Sequence, residues 1–144
     1  MRAAVLREYH GPLGVEQVAD PDCPVDGVVL RVLASGVCRS DWHVWKGVDP
    51  DVTLPQIPGH EYCGEVVAVG GRVTRWAVGA RVIAPFILAC GQCPDCAAGH
   101  QTICATQIIP GFTTAGSFAE YISVARADAN LTALPEGMDP AIAA

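Results

Sequence analysis

Lysine is almost missing from this chain, because Lys46 is the only one among its 144 residues. Charged residues make up 17% of the sequence, and the acidic ones outnumber the basic ones, which gives a formal net charge of −6. A protein that binds nucleic acid needs a basic patch, and the sequence shows none. We therefore expect no nucleic-acid partner.

Long hydrophobic runs are also lacking. The longest covers only residues 82–90 and is interrupted by Pro85, whereas a transmembrane helix needs about 20 apolar residues. We therefore expect no membrane partner. The start of the chain has no apolar core typical of a secretory signal, and seven cysteines are present. These features favour a reducing compartment, with the cytoplasm as the expected location.

The length predicts one domain over residues 1–144, and a hydrophobic content of 51% is typical of a globular chain. Short apolar stretches alternate with turns rich in glycine and proline, which predicts a mainly β, barrel-like fold. The predicted strands cover residues 3–6, 13–18, 28–34, 62–69, 80–84, 118–124 and 130–134.

One short helix is predicted over residues 40–47, directly after a buried strand. Ser40 is the predicted N-cap, since serine side chains accept hydrogen bonds from the first turn. Gly47 is predicted to end the helix, because glycine adopts the left-handed conformation of a C-cap without strain. A further helix begins in the last four residues of the sequence.

Four cysteines lie close together with the spacing C-x2-C-x2-C-x7-C. Short gaps of this kind let backbone turns direct several thiolates to one point, and four thiolates form the ligand set of a closed tetrahedral zinc site. The sequence therefore predicts a zinc-binding lobe over about residues 88–111. Its ligands are Cys90, Cys93, Cys96 and Cys104.

Two other interpretations of these cysteines remain open. Iron–sulfur sites share the C-x2-C-x2-C start, but their fourth cysteine usually follows after three residues and precedes proline. Cys104 follows after seven residues and precedes Ala105. Disulfides are the other interpretation, although such dense cysteine patterns are typical of secreted chains. Zinc is the favoured interpretation.

A second group of chemically active residues is spread over two segments. Cys38 ends a predicted buried strand, and the adjacent pair His60 and Glu61 precedes another. An adjacent histidine and glutamate alone is a weak signal, because most histidines are ordinary surface or core residues. The glycines on either side of the pair indicate a tight backbone approach, which strengthens the signal.

The order of three motifs carries a family resemblance. CRSDWH, GHEYCGEVVAVG and CGQCPDCAAGHQTIC follow one another, and the chain later contains AGSFAEYISV and LPEGM. Together they resemble the catalytic domain of zinc-dependent alcohol dehydrogenases in the medium-chain dehydrogenase/reductase superfamily. The resemblance covers essentially all 144 residues. It implies a GroES-like, partly open β-barrel with a short helix and a zinc-binding lobe.

The resemblance implies two zinc sites. Cys38 and His60 would hold a catalytic zinc, with Glu61 coordinating it or exchanging with substrate and water. Asp41 would accept a hydrogen bond from the far nitrogen of His60 and so fix its tautomer. The structural zinc would be held by Cys90, Cys93, Cys96 and Cys104.

The resemblance also implies the reaction, which is hydride transfer from a zinc-bound alcohol to NAD or NADP. The substrate would be a small-molecule alcohol or aldehyde. Ser40 would take the proton of the alcohol and His43 would pass it towards solvent. Arg39 would lie near the pyrophosphate of the dinucleotide.

Members of this family carry a second, nucleotide-binding domain with a Gly-x-Gly-x-x-Gly turn, and the sequence contains no such turn. We therefore expect this chain to be the catalytic part of an enzyme and to be inactive on its own. We also expect a homo-oligomer, because faces that normally meet the second domain would be exposed. A standalone zinc-binding GroES-like module that associates with another chain is the alternative. A scaffold without chemistry is disfavoured, since it has no use for Cys38, Ser40, His43 and His60 together.

Overall fold

The chain folds mainly into antiparallel strands, and a computed structural model describes residues 1–144. A two-stranded sheet pairs β1 (Arg2–Leu6) with β2 (Leu13–Gln17). A five-stranded sheet has the order β6-β3-β4-β5-β7. Its strands are β3 (Val28–Ser35), β4 (Tyr62–Val69), β5 (Arg81–Ala84), β6 (Tyr121–Val124) and β7 (Thr132–Ala133). The strands do not close into a barrel, so the predicted mainly β, partly open fold is confirmed.

Helices are few and short. The longest is α1 (Arg39–Lys46), which lies between β3 and β4. The others are α2 (Pro94–Ala97), α3 (Ala127–Asn130) and α4 (Pro140–Ala143). A single 3-10 turn covers Gln101–Ile103. None of these helices is long and apolar enough to cross a bilayer.

The main core lies against the five-stranded sheet. Alternating residues of β3, β4 and β6 point into it, as expected of strands with one buried face. Each fully buried aliphatic side chain contributes about 1.5–3 kcal/mol relative to an exposed one. The core side chains with almost no exposed surface include Leu30, Tyr62, Val66, Val82, Leu88 and Ile122.

A smaller core holds α1 in place. Leu6 of β1, Val44 of α1, Val52 and Phe112 pack together with little or no exposed surface. Two long-range pairs also tie β1 to the segment before β6: the N–H of Ala4 donates to the carbonyl of Phe118 at 2.8 Å, and residues 3 and 119 form a β-bridge. Helix α1 therefore packs against β1 and against two loops that follow it in the chain.

Two predicted strands are shorter than expected by more than one residue. The predicted strand 118–124 enters the large sheet only at Tyr121, because the preceding residues pair with β1 instead. The predicted strand 130–134 was wrong at its start, since Asn130 is the last residue of α3. The side chain of Asn130 binds backbone groups, which favours the end of a helical turn over a strand.

Candidate metal centres

The first ligand candidate begins α1. Cys38 is the N-cap, and its Sγ accepts the N–H of Ser40 at 3.3 Å. The carboxylate of Asp41 accepts the N–H of Cys38 at 3.0 Å, which completes a reciprocal capping box. The prediction of Ser40 as the N-cap was therefore wrong by two residues, because the thiol takes this position. Gly47 ends the helix in the left-handed conformation, as predicted.

The second ligand candidate is brought to α1 by a tightly packed loop. Gly59 has a φ of +97, and a Cβ at this position would lie 2.6 Å from Ser117 Oγ and 2.6 Å from a ring carbon of Phe118. Only glycine fits such a backbone without strain. The N–H of Gly59 donates to Asp41 Oδ1 at 3.1 Å. Asp41 thus connects the start of α1 with the loop that carries His60.

Cys38, Asp41 and His60 converge on one point, because their ligand atoms all lie within 4.8 Å of one another. Cys38 Sγ is 3.0 Å from His60 Nε2, and Asp41 Oδ1 is 3.5 Å from His60 Nδ1. Nδ1 is buried without a well-directed hydrogen bond. A proton on Nδ1 faces the carboxylate and leaves Nε2 free as a ligand, which suits zinc.

The other residues predicted for the catalytic site differ in how far they are exposed. Ser40 and His43 are partly buried on α1, three positions apart. Arg39 is exposed, with its guanidinium 5.7 Å from the centre of the Trp42 ring. Glu61 is exposed and its carboxylate is outside the close group, with its side chain against Gly36.

Two aromatic residues that the sequence did not indicate enclose His60. The ring of Phe86 meets the imidazole edge-on at 4.8 Å, and Phe112 lies 5.4 Å from it. Phe112 is buried, whereas 46% of Phe86 is exposed. Both residues come from loops far from His60 in sequence, so no spacing signal could have identified them.

The cysteine lobe forms a second centre. The four Sγ atoms lie within 4.8 Å of one another, and all seven cysteines of the chain are free thiols, without disulfides. Backbone N–H groups point at the sulfurs: Cys93 donates to Cys90 Sγ at 3.3 Å, and Cys90 donates to Cys104 Sγ at 3.3 Å. Such donors stabilise thiolates, the form in which cysteine binds metal.

The electrostatics of this lobe suit a cation. Backbone N–H groups of Gln92 and Cys93 lower the pKa of Cys90 to about 6. The N–H of Cys90 lowers the pKa of Cys104. Burial raises the pKa of Cys96 to about 12, so its thiolate needs a positive partner. A tetrahedral zinc ion suits this site, because it supplies the positive charge and binds four converging sulfurs.

Comparison with known proteins gives a matching family and similar relatives. Residues 25–136 match the protein family described as "Alcohol dehydrogenase GroES-like domain". An alcohol dehydrogenase from Moraxella sp. (strain TAE123) is 41% identical over 142 residues. That match covers 96% of this chain and 41% of the relative.

Solved structures have the same fold. The alcohol dehydrogenase TADH from Thermus sp. ATN1 superposes with a TM-score of 0.90 at 32% identity, over 97% of this chain and 42% of that one. A candidate zinc-binding dehydrogenase from Sinorhizobium meliloti 1021, solved with NADP, gives a TM-score of 0.83 at 34% identity, over 97% and 40%. The chain therefore spans about two fifths of the length of the proteins it matches.

Proposed function

This chain belongs to the alcohol dehydrogenase GroES-like domain family, and we propose that it supplies the zinc-bearing catalytic part of an NAD- or NADP-dependent alcohol dehydrogenase. The observation that carries the proposal is the convergence of Cys38 and His60, with Asp41 behind the imidazole. The two ligands come from separate loops, and the fold uses a capping box and a tight glycine to bring them together.

Zinc bound at Cys38 and His60 supplies a Lewis acid for the oxygen of an alcohol or aldehyde substrate. Asp41 holds the imidazole so that Nε2 faces the thiol side. Glu61 is proposed as an exchangeable ligand. This role requires its exposed side chain to turn from Gly36 towards His60.

Proton transfer is assigned to α1. Ser40 and His43 are three positions apart, and residues at this spacing lie on the same side of a helix. We assign to the Ser40 hydroxyl the acceptance of the substrate's hydroxyl proton, while its own proton passes to His43. His43 then carries the proton to solvent, because an imidazole ring can take up a proton at one nitrogen and release one from the other.

Substrate and cofactor contacts are assigned to residues around this helix. The half-exposed ring of Phe86 offers an apolar wall beside His60, which excludes water from the reacting atoms. Arg39 is exposed beside Trp42 and is assigned to the pyrophosphate of NAD or NADP. We assign binding of the nicotinamide ring to residues outside 1–144.

The four-cysteine centre is assigned a structural zinc. Cys90, Cys93, Cys96 and Cys104 provide a complete ligand set, so no position stays open for substrate. A structural zinc contributes on the order of 10–16 kcal/mol of apparent binding energy, which is also folding energy. Zinc is therefore expected to stabilise the folded lobe.

An alcohol oxidation assay tests the proposal. Residues 1–144 with zinc, NAD or NADP and a panel of alcohols are expected to give no reduced cofactor. Adding a separately made nucleotide-binding domain from a relative is expected to give turnover, because positioning of the nicotinamide ring accounts for about 7–11 kcal/mol of the barrier reduction. Turnover by residues 1–144 alone would overturn the assignment of nicotinamide binding to residues outside 1–144.

A pair of histidine variants makes the assay specific. His60→Gln is expected to abolish turnover in the complemented enzyme, since it removes a metal ligand. His100→Gln changes an exposed histidine and is the matched control. If both variants keep full activity, the candidate centre is not catalytic. If complementation never yields turnover while both metal centres are filled, the alternative of a zinc-binding module that acts through another chain gains support.

A further inference from the structure

Helix α3 lies against the entry of the cysteine loop. The side-chain amide of Asn130 accepts the N–H of Ala89 at 2.8 Å and donates to the carbonyl of the same residue at 3.0 Å. It also donates to the carbonyl of Arg126 at 2.9 Å. One amide therefore pairs with both backbone polar groups of the residue that immediately precedes Cys90.

The N-cap residue of the same helix, Arg126, reaches the exit of the loop. Arg126 Nη1 donates to the carbonyl of Thr106 at 2.6 Å and to that of Leu88 at 3.4 Å. The hydroxyl of Thr106 lies 3.7 Å from Cys104 Sγ. Arg126 has a φ of 56, and a non-glycine residue keeps this left-handed conformation only where surrounding contacts hold it.

The first turn of the loop also touches α3 directly. A Cβ added at Gly91 would lie 2.7 Å from the Cβ of Ala129, so the backbone passes close to the helix surface. The contacts thus fall before the first cysteine, just inside the loop and after the last cysteine. None of the contacting α3 residues belongs to the cysteine motif.

We infer that Asn130 and Arg126 are positioning residues for the four-cysteine metal centre. They fix the distance between the two ends of the loop, so that the thiolates converge before a metal ion binds. The inference rests on the zinc content proposed above for this loop. Residues that orient metal ligands from behind typically change metal affinity by about 10- to 100-fold when mutated.

The test measures zinc release from the purified, zinc-loaded protein to a chromophoric chelator at fixed pH. All proteins carry His60→Gln, so that the released zinc comes from the cysteine loop. Asn130→Ala is expected to release zinc about 10- to 100-fold faster. The Co²⁺-substituted protein should also show an altered visible spectrum, which reports the geometry of the thiolates and not the stability of the fold.

Asp128→Ala is the matched control on the same helix. Asp128 accepts three hydrogen bonds, two from Thr74 at 2.8 and 2.7 Å and one from the N–H of Arg75 at 3.0 Å. Asn130 also loses three when truncated. Only the Asn130 bonds reach the loop, so Asp128→Ala is expected to leave zinc release unchanged. Equal acceleration in both variants would overturn the inference, because general loosening of α3 would explain it.

A second substitution covers the case in which Asn130→Ala does not fold. Arg126→Gly places a glycine where the backbone is left-handed, which favours folding, but it removes the guanidinium that holds Thr106. Faster zinc release from this variant is the expected result, and an unchanged rate would overturn the inference. An unaltered protein that binds no metal in the loop would overturn the metal assignment as well.

Discussion

Asp41 stands 3.5 Å behind the imidazole of His60, measured from Oδ1 to Nδ1. The same carboxylate accepts the N–H of Cys38 at 3.0 Å and the N–H of Gly59 at 3.1 Å. It is buried, with 7% of its surface exposed. One side chain therefore orients one candidate ligand and holds the backbone of the other.

Asp41→Ala should lower both stability and metal binding at the Cys38 centre. The substitution leaves two partly or fully buried N–H groups without an acceptor, which costs about 2–4 kcal/mol in total. Urea denaturation measures this loss. Asp22→Ala changes an exposed loop carboxylate and should stay within about 0.5 kcal/mol. Equal effects in the two variants would contradict the bridging role of Asp41.

Gly59→Ala should distort the loop that carries His60. The added Cβ would meet Ser117 and Phe118 at 2.6 Å, and the backbone is left-handed. Strain and overpacking together should destabilise the protein by about 2–4 kcal/mol. Gly71→Ala is the control, because a Cβ there meets nothing within 4 Å. Thermal unfolding of both variants checks the prediction. The prediction fails if Gly59→Ala unfolds at the same temperature as the unaltered protein.

Cys93→Ser should destabilise the protein only in the presence of zinc. The substitution removes one of four thiolates from a closed site, and the roughly 10–16 kcal/mol that such sites contribute sets the upper limit of the loss. Melting temperatures measured with zinc should therefore differ strongly. After exhaustive chelation under reducing conditions the two proteins should melt alike. A difference that survives chelation would mean that Cys93 acts through packing.

Glu120→Gln should give a stability loss that depends on pH. The N–H and then the guanidinium of Arg2 lower the pKa of Glu120 below its ordinary 4.5. A carboxylate whose pKa is lower in the folded state stabilises the fold above the unfolded pKa. This contribution disappears as the pH falls through the folded pKa.

Urea denaturation across a pH series checks this sign. The difference between the unaltered protein and Glu120→Gln should be present at neutral pH and should shrink below pH 4.5, the ordinary pKa. Arg7, which directly follows β1, pairs with Glu16 of β2 at 2.6 Å, and Glu16→Gln provides a comparison that leaves the Arg2 pair intact. If Glu120→Gln lowers the free energy of unfolding by the same amount down to about pH 3, the ion pair is excluded as the cause.

Local spacing was enough to predict that the four sulfurs of the cysteine loop converge. Cys90, Cys93 and Cys96 lie so close in sequence that few backbone paths keep their sulfurs apart, and the structure brings them together with Cys104. Side chains whose partner is a distant backbone group could not be predicted in this way. Asn130 binds the backbone of Ala89. Because every residue type offers the same peptide groups, the identity of residue 89 does not indicate this pairing.

The candidate catalytic site was predicted less completely. The sequence motif pointed to Cys38 and His60, but cap preferences pointed to Ser40, since a thiol is a rare N-cap. The aromatic residues Phe86 and Phe112 reach His60 through the tertiary fold alone. Short-range patterns therefore indicate which residues offer metal ligands. The side chains that surround those ligands depend on packing between distant segments.

The position of Arg126 and Asn130 after the cysteine loop has a consequence for the newly made chain. Translation proceeds from the N-terminus at about 5–20 residues per second, so residues 105–130 follow Cys104 over roughly one to five seconds. During this interval the thiols leave the ribosome before the side chains that hold the loop ends together. We therefore expect the supply of zinc during synthesis to affect how much of the loop is filled with this ion.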